Sequence, residues 1–268
     1  IAALIIGGAL GLAGSIMQAM TRNPLADPGI LGVNAGAAFA VVSATAVMGV
    51  STRAVTLGAA LIGAGVASAL VFALSGRGAR ASRARLALAG IAVSAALASL
   101  TSAILTANQF AFNEFRYWAS GSFEGIGVDS LVLASVVIGG GVVLGALLTS
   151  ALGILTLGDE VAVGLGVRVR LVRGLSTLAV TALAGGATAL GGPLTFVGLA
   201  VPLLVRRVVG ARHGLIALWS IIVGAAWVCV ADVASRLVLA PQEVPVGVIV
   251  ALIGAPFFIA TARGRGMS

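Results

Sequence analysis

Residues 131–155 read LVLASVVIGGGVVLGALLTSALGIL, a run of 25 residues without a charged side chain. A helix needs roughly 20 apolar residues to cross the hydrocarbon core of a bilayer, so this run is long enough to span a membrane. Outward from it, similar runs bounded by Arg, Pro, Asn or Gly recur along the whole chain. They predict nine membrane-spanning helices, at 1–20, 30–50, 55–74, 86–107, 131–155, 171–190, 194–205, 214–234 and 246–262.

The composition agrees with a membrane protein. Of the 268 residues, 60% are hydrophobic and 9% are charged, whereas a soluble domain carries about 25% charged residues. The 38 glycines and an aromatic content of 5% suit helices that pack closely through small residues better than the strands of an outer-membrane barrel. We therefore expect one all-α, polytopic transmembrane helical bundle over residues 1–268. Cys229 is the single cysteine, so we predict neither an intrachain disulfide nor a metal site.

The distribution of arginine predicts the orientation of the bundle. Positive charge accumulates in cytoplasmic loops, and alternate loops divide the arginines into thirteen on one side and three on the other. We expect a multi-pass protein of the inner (cytoplasmic) membrane with its arginine-rich side and its C-terminus in the cytoplasm. Nine spans would leave Ile1 outside, which indicates one further span upstream. The larger set is Arg22, Arg77, Arg80, Arg83, Arg85, Arg168, Arg170, Arg173, Arg206, Arg207, Arg212, Arg263 and Arg265, and the smaller is Arg53, Arg116 and Arg236.

The net charge of +8 raises the alternative of a nucleic-acid partner. The arginines, however, are spread over several loops at span ends, where positive charge sets membrane orientation. We therefore expect membrane lipid, and no nucleic acid, around this chain.

The charged residues also limit the ways in which the chain could obtain energy. None of the eight acidic residues falls near the middle of a predicted span, where an ion-coupled carrier usually places an ionisable group. Asp232 comes closest, but Arg236 follows it by one helical turn and favours a local ion pair. The phosphate-binding loop of an ATPase requires a lysine, and the chain has none. Uphill transport would therefore depend on another subunit, which favours a permease subunit.

Catalysis within the membrane is a weaker alternative. His213, the single histidine, follows Arg212 in a predicted cytoplasmic loop without a nearby His, Cys or carboxylate. We therefore expect His213 to be a solvated loop residue and not a metal ligand or a general base.

Residues 18–37, QAMTRNPLADPGILGVNAGA, form the first informative motif. Pro24 and Pro28 stop one helix, and Asn23 or Asp27 can cap the next. Small residues one turn apart give a close-packing face, here Gly32 and Gly36. The motif predicts a rigid corner on the cytoplasmic side.

This motif closely resembles the signature of the FecCD-type permeases, the subunits of ABC importers that carry iron-siderophore, haem or cobalamin. The resemblance continues at residues 85–90, 115–122, 157–167, 192–202, 231–236 and 243–247. Family members have ten spans, so nine here agrees with one missing upstream. The matching signature positions are Asn23, Pro24, Asp27, Pro28, Gly29, Gly32, Gly36, Gly192, Pro193, Pro202, Asp232, Glu243, Pro245 and Gly247.

The resemblance implies partners and roles for particular residues. Residues 157–170 are amphipathic, with acidic residues first and arginines last, as expected of a helix at the cytoplasmic surface. The resemblance assigns this segment to coupling with ABC ATPase subunits, which would hold the ATP and Mg; no cofactor is expected in this chain itself. The coupling residues are Leu157, Gly158, Asp159, Glu160, Ala162, Gly164, Leu165, Gly166, Val167 and Arg168.

On the outer side, the resemblance places docking of an extracytoplasmic substrate-binding protein at Arg236. Topology adds Arg53 and Arg116 as further candidates. The resemblance also implies a second permease subunit, identical or homologous, with the route at their interface, lined partly by residues 86–107 and 246–262. Candidate residues of a cytoplasmic gate are Ser82, Arg83 and Ala84.

Ferric siderophore is the substrate that we expect for such an importer. Haem and cobalamin are the alternatives within the family, and an ion-coupled secondary transporter is the alternative outside it.

Overall fold

The computed structural model describes residues 1–76, 83–121, 123, 125–238 and 244–263. Within these ranges the chain forms eleven α-helices, one 3₁₀ turn at Pro28–Leu31 and no strand, which confirms the all-α class. The helices are α1 (Ala2–Thr21), α2 (Val33–Met48), α3 (Arg53–Leu74), α4 (Arg83–Ala107), α5 (Gln109–Ala119), α6 (Val128–Leu155), α7 (Asp159–Gly164), α8 (Val169–Gly191), α9 (Val197–Val209), α10 (His213–Leu237) and α11 (Val246–Arg263).

Six of these helices are long and apolar enough to cross a membrane: α1, α3, α4, α6, α8 and α10. The shorter helices α2, α9 and α11 account for the three remaining apolar runs. Helix α5 was not predicted, because its sequence alternates aromatic and polar residues and has no long apolar run. It begins where the Asn108 side chain accepts a 2.9 Å hydrogen bond from the backbone N–H of Ala111, the usual action of an N-cap asparagine.

The seventh predicted span, 194–205, is displaced in the structure. Helix α9 begins only at Val197 and continues to Val209. The preceding residues cannot extend it, because Gly192 and Phe196 both have positive φ, at 77° and 69°, and Pro193 lacks a backbone N–H. Helix α9 is therefore a half-length helix that starts beside α1 instead of at the end of the bundle.

Helix α1 is the central element, nearly all of it buried, and it contacts α6, α8, α9 and α10. Its contacts with α10 are backbone to backbone. A Cβ on Gly7 would overlap the carbonyl of Gly224, and one on Gly11 would overlap the carbonyl of Ser220. Small residues let the two helices approach at the distance that membrane bundles use for packing.

Side-chain hydrogen bonds hold the corner between α1 and α2, although neither Asn23 nor Asp27 caps α2 as predicted. Asp27 Oδ1 accepts a 2.7 Å bond from the Gly29 N–H, and Asn23 Oδ1 accepts a 3.0 Å bond from the Leu25 N–H. Asp27 thereby caps the 3₁₀ turn and not α2 itself. Gly32, at φ 75°, supplies the left-handed turn that starts α2, and it also lies against α3, since a Cβ there would be 3.5 Å from Val71 and 3.6 Å from Ala67. Gly36 does pack closely, since a Cβ there would overlap the carbonyl of Gly63 on α3.

Contacts between loops define the two ends of the bundle. At one end, which we call the Arg22 end, the residue that follows α1 meets α7 and the start of α8. At the opposite Arg53 end, the N–H of Val246 donates to the carbonyl of Gly121 at 3.1 Å. Arg53 shares a cavity there with Trp118 and Gly192. The ends of α5, α8 and α10 and the starts of α3 and α11 therefore lie together.

Candidate functional site

The most distinctive surface at the Arg22 end is the short helix α7. Gly158 precedes it with φ 130°, a backbone conformation open to glycine alone. Ala162 is fully buried against the bundle, whereas Val161, Val163 and Leu165 are 47%, 63% and 62% exposed. Leu157, just before the helix, is also exposed. The helix thus presents apolar side chains outward, as a surface that binds another protein does.

Three charged side chains fasten α7 to the bundle. Asp159, its first residue, pairs with Arg22 through Oδ1. It also accepts hydrogen bonds from Arg173 Nη2 at 2.9 Å to Oδ2 and 3.1 Å to Oδ1. We call Arg22, Asp159 and Arg173 the charge clamp. Sequence reasoning had assigned the two arginines to membrane orientation alone, because Arg22 lies 137 residues from Asp159 and no local pattern joins them.

The predicted amphipathic helix with arginines at its C-terminal end is wrong. Helix α7 has six residues, with Asp159 and Glu160 in its first turn, and Gly166 at φ 81° ends it as glycines after helices commonly do. Arg168 then occupies the N-cap position of α8, and Arg170 lies in the first turn of α8. Both arginines therefore sit at the positive end of a helix dipole instead of the negative one.

At the Arg53 end, the three candidate docking arginines have different surroundings. Arg236 pairs with Asp232 at 3.2 Å, one turn away on α10, which is the local ion pair that the spacing had suggested. Arg116 is exposed in the last turn of α5. Arg53 is exposed at the start of α3 and lines a cavity of about 160 Å³ that also contains Glu114.

A larger, open cavity of about 670 Å³ lies between the end of α5, the Pro193 segment and α11. Its lining includes Ser120, Val248 and Leu252 and, among the described residues, no charged side chain. It places three signature positions, Pro193, Pro245 and Gly247, on one surface. The lining of this cavity is therefore almost entirely apolar.

The family can be read from the whole chain and does not depend on one motif. The model that describes the FecCD transport family matches residues 1–263. The chain belongs to the FecCD transport family.

Relatives in this family have names that describe transport proteins. The ferric enterobactin transport system permease protein FepD of Escherichia coli (strain K12) is 44% identical over 268 residues, covering 99% of this chain and 79% of FepD. The Fe(3+)-citrate import system permease protein YfmD of Bacillus subtilis (strain 168) is 36% identical over 265 residues, covering 98% of this chain and 79% of YfmD.

A solved structure, described as an inward-facing metal-chelate type ABC transporter, has the same fold. It superposes with a TM-score of 0.84 at 28% sequence identity and covers 98% of this chain and 84% of the solved chain. The helical arrangement described above is therefore that of an ABC transporter permease.

Several signature residues of this FecCD family chain act through the backbone. Gly192, at φ 77°, lies so close to the Trp118 carbonyl that a Cβ would come within 2.5 Å of its oxygen. Pro202 is buried inside α9. Pro24 is half-buried in the corner after α1.

The gate candidates, Glu243 and His213 complete the predicted residues. Ser82 and Glu243 lie outside the described residues, as does the side chain of Arg83, whereas Ala84 is exposed near the start of α4. His213 is buried as the first residue of α10, so its placement in a solvated loop was wrong. Its helix begins one residue earlier than the predicted apolar run, because a polar residue at a helix end adds no apolar signal.

Proposed function

We propose that this chain is the permease subunit of a bacterial ABC importer for ferric siderophore. The observation that carries the proposal is the 44% identity to a ferric enterobactin permease over 99% of the chain. The whole chain then forms one permease domain of the inner membrane, with nine membrane spans. The Arg22 end, where Arg22, Arg168, Arg170 and Arg173 lie, faces the cytoplasm together with the C-terminus, in accordance with the positive-inside rule.

The exposed apolar face of α7 supports docking of an ATPase subunit at the cytoplasmic side. Val163 and Leu165 are 63% and 62% exposed, whereas the neighbouring Ala162 is fully buried. A partner that covered them would remove apolar surface from water, which is the main driving force of association. The ATPase partner supplies the ATP and Mg, and the permease chain supplies the surface that receives its motion.

The exposed faces of α4 and α11 support a route at the interface of two permease subunits. Leu88 and Ile91 on α4 are each 65% exposed, and Leu252 on α11 is 64% exposed. The cavity beside α11 offers a wall without charge to a bulky polar chelate. Such a wall binds the chelate weakly, so the binding protein sets the specificity, docking at Arg236 and, on topological grounds, at Arg53 and Arg116. Ser82, Arg83 and Ala84 remain the candidate gate at the opposite end.

Uptake into proteoliposomes tests the proposal. The permease is reconstituted with its ATPase and its binding protein, and accumulation of iron-55 is measured for a tris-catecholate, a hydroxamate and a citrate complex. We expect ATP-dependent accumulation of at least one of these chelates. Uptake of none of them, with ATP-dependent uptake of haem or cobalamin in the same vesicles, would overturn the substrate assignment.

Haem is the second candidate because the hemin transport system permease protein HmuU of Yersinia pestis is 37% identical over 264 residues. The lower identity places it behind ferric siderophore. Vesicles that took up haem and rejected all three iron chelates would reverse that order.

A further inference from the structure

The charge clamp has a role that the docking surface of α7 does not explain. We propose that the Asp159 carboxylate, held jointly by Arg22 and Arg173, is the link that transmits the movement of α7 to α1 and α8. This inference rests on the proposed function, in which α7 receives the ATPase. It assigns Asp159, Arg22 and Arg173 as positioning residues and not as contacts with the ATPase.

Helix α7 needs an added anchor because it is short. Six residues make less than two turns, and a helix of that length has no stability of its own. Within the described residues, its apolar anchor is Ala162, a side chain of one methyl group. The clamp adds three charge-assisted hydrogen bonds at its first residue. The charge clamp therefore ties the first turn of α7 to the end of α1 and to α8.

The clamp is shielded on the side of the bundle. The side chains of Arg22 and Arg173 are 19% and 18% exposed, whereas that of Asp159 is 41% exposed. Ion pairs that are partly removed from water are screened less by salt than those at a free surface. Each carboxylate oxygen has at least one guanidinium partner, so a displacement of α7 moves both arginines with it.

Arg22 is fixed in a way that passes this displacement to α1. It ends α1 in the left-handed region, at φ 52° and ψ 31°, with its N–H bonded to the carbonyl of Ala19 at 3.3 Å. A residue other than glycine in this region is uncommon, and here the surrounding contacts hold it. The backbone of Arg22 is thus fixed to the end of α1, while its guanidinium is bound to Asp159 of α7.

From α1 the movement has a rigid route through the bundle. The backbone of α1 touches the backbone of α10 at Gly7 and Gly224, and that of α9 at Gly14 and Gly198. Contacts between backbones contain no side-chain rotamers that could absorb a shift. Helix α10 carries Arg236 in its last turn. Helix α8, which carries Arg173, ends at Gly191 near Phe123. Both arms of the clamp therefore lead to the Arg53 end.

The test uses the complete importer, with ATPase and loaded binding protein, in proteoliposomes. Asp159→Asn keeps the size of the side chain and removes its charge. We expect ATPase subunits to copurify with this variant and basal ATP hydrolysis to stay within twofold of wild type. Stimulation of hydrolysis by the binding protein, and uptake of chelate, should each fall at least tenfold. The control is Asp129→Asn, the same exchange at an exposed carboxylate in the first turn of α6 that forms no ion pair within the described part of the chain, and it should stay within twofold in every assay.

Two outcomes would overturn the inference. Wild-type stimulation and uptake by Asp159→Asn would show that the clamp transmits nothing. Loss of copurification would show that Asp159 belongs to the docking surface itself. Failure of the proposed function is separate from both, because wild-type vesicles would then take up no iron chelate at all.

A second variant guards against loss of folding. Arg22→Asn removes the cation but suits the left-handed conformation at this position, since asparagine adopts that region readily. If the residues act through one link, the double variant Arg22→Asn, Asp159→Asn should lose no more stimulation than Asp159→Asn alone. Losses that multiply would contradict the shared link.

Discussion

Gly7 of α1 and Gly224 of α10 lie against each other through their backbones, and a Cβ on either would overlap the carbonyl of the other. The sequence separates them by more than two hundred residues, yet they fix the central pair of helices. Without side chains between them, the two helices can neither separate nor slide without losing many contacts at once. An added methyl group at Gly224 therefore tests this packing.

Gly224→Ala should destabilise the bundle by about 1–3 kcal/mol, the usual range for overpacking. Gly140→Ala on α6 is the matched control, because a Cβ there meets nothing within 4 Å. Alanine is favoured over glycine within a helix by about 0.5–1 kcal/mol, so the control should raise the melting temperature of the detergent-solubilised protein while Gly224→Ala lowers it. Equal shifts for the two variants would contradict the packing described here.

Gly164→Trp should block the ATPase from copurifying while the permease folds normally. Gly164 is exposed, and a Cβ there meets no other atom within 4 Å, so a large side chain disturbs only a partner. Gly58→Trp on α3, at the Arg53 end, is the control, since a Cβ there also meets no other atom within 4 Å, and it should copurify the ATPase as the wild type does. Normal copurification with Gly164→Trp would place the docking surface elsewhere.

Gly166 requires a different expectation, because its φ is 81°. A residue with a Cβ in the left-handed region costs roughly 1–2 kcal/mol. Gly166→Ala should therefore lower the melting temperature, whereas Gly164→Ala should not. A thermal-unfolding comparison of the two alanine variants checks this, and a lower melting temperature for Gly164→Ala alone would contradict it.

Arg236→Glu should slow association of the loaded binding protein, on the order of tenfold at low ionic strength, because charges at the rim of an interface act mainly on the association rate. Asp232→Asn is the informative partner variant, since it removes the carboxylate that pairs with Arg236 at 3.2 Å. It should leave association as fast as wild type or faster. Surface-plasmon-resonance rates at two salt concentrations measure both effects, and unchanged rates for Arg236→Glu would exclude the assignment.

The Asp27 carboxyl gives a prediction about pH. Burial raises its pKa above the ordinary value, and the hydrogen bond from the Gly29 N–H opposes that rise. The folded protein thus holds this proton more tightly than the unfolded chain, so ionisation of Asp27 lowers the free energy of unfolding as pH rises through the folded pKa. Asp27→Asn keeps an oxygen for the Gly29 N–H without the charge.

The melting temperature of Asp27→Asn relative to wild type should therefore rise as the pH is raised from acidic to mildly basic values. Asp27→Ala loses the cap and should be about 1 kcal/mol less stable than Asp27→Asn. A wild-type protein that gained stability over Asp27→Asn as the pH rose would contradict the sign of the shift.

The sequence predicted what depends on local composition. Each of the nine apolar runs overlaps a helix, and both predicted caps of the corner, Asn23 and Asp27, form hydrogen bonds. Helix α5 was not predicted, because its aromatic and polar residues do not form a long apolar run. The late start of α9 depends on the positive φ of Phe196. This backbone conformation could not be predicted, because phenylalanine does not favour it.

The candidate site divides in the same way. The motif at 157–167 contains the helix that exposes Val163 and Leu165. It could be found from the sequence because neighbouring residues determine the local backbone structure. The partners of Asp159 could not be found, because any of the arginines on the same side could have paired with it. Only the fold brings Arg22, just after α1, and Arg173, on α8, within reach of Asp159.

The energy source of transport tests the central claim most directly. Uptake of ferric siderophore is compared in proteoliposomes that contain the permease and binding protein with a wild-type ATPase, with an ATPase whose phosphate-loop lysine is replaced by alanine, or with no ATPase and an imposed proton or sodium gradient. We predict accumulation only with the wild-type ATPase and ATP. Accumulation driven by an ion gradient in vesicles without the ATPase would contradict the account.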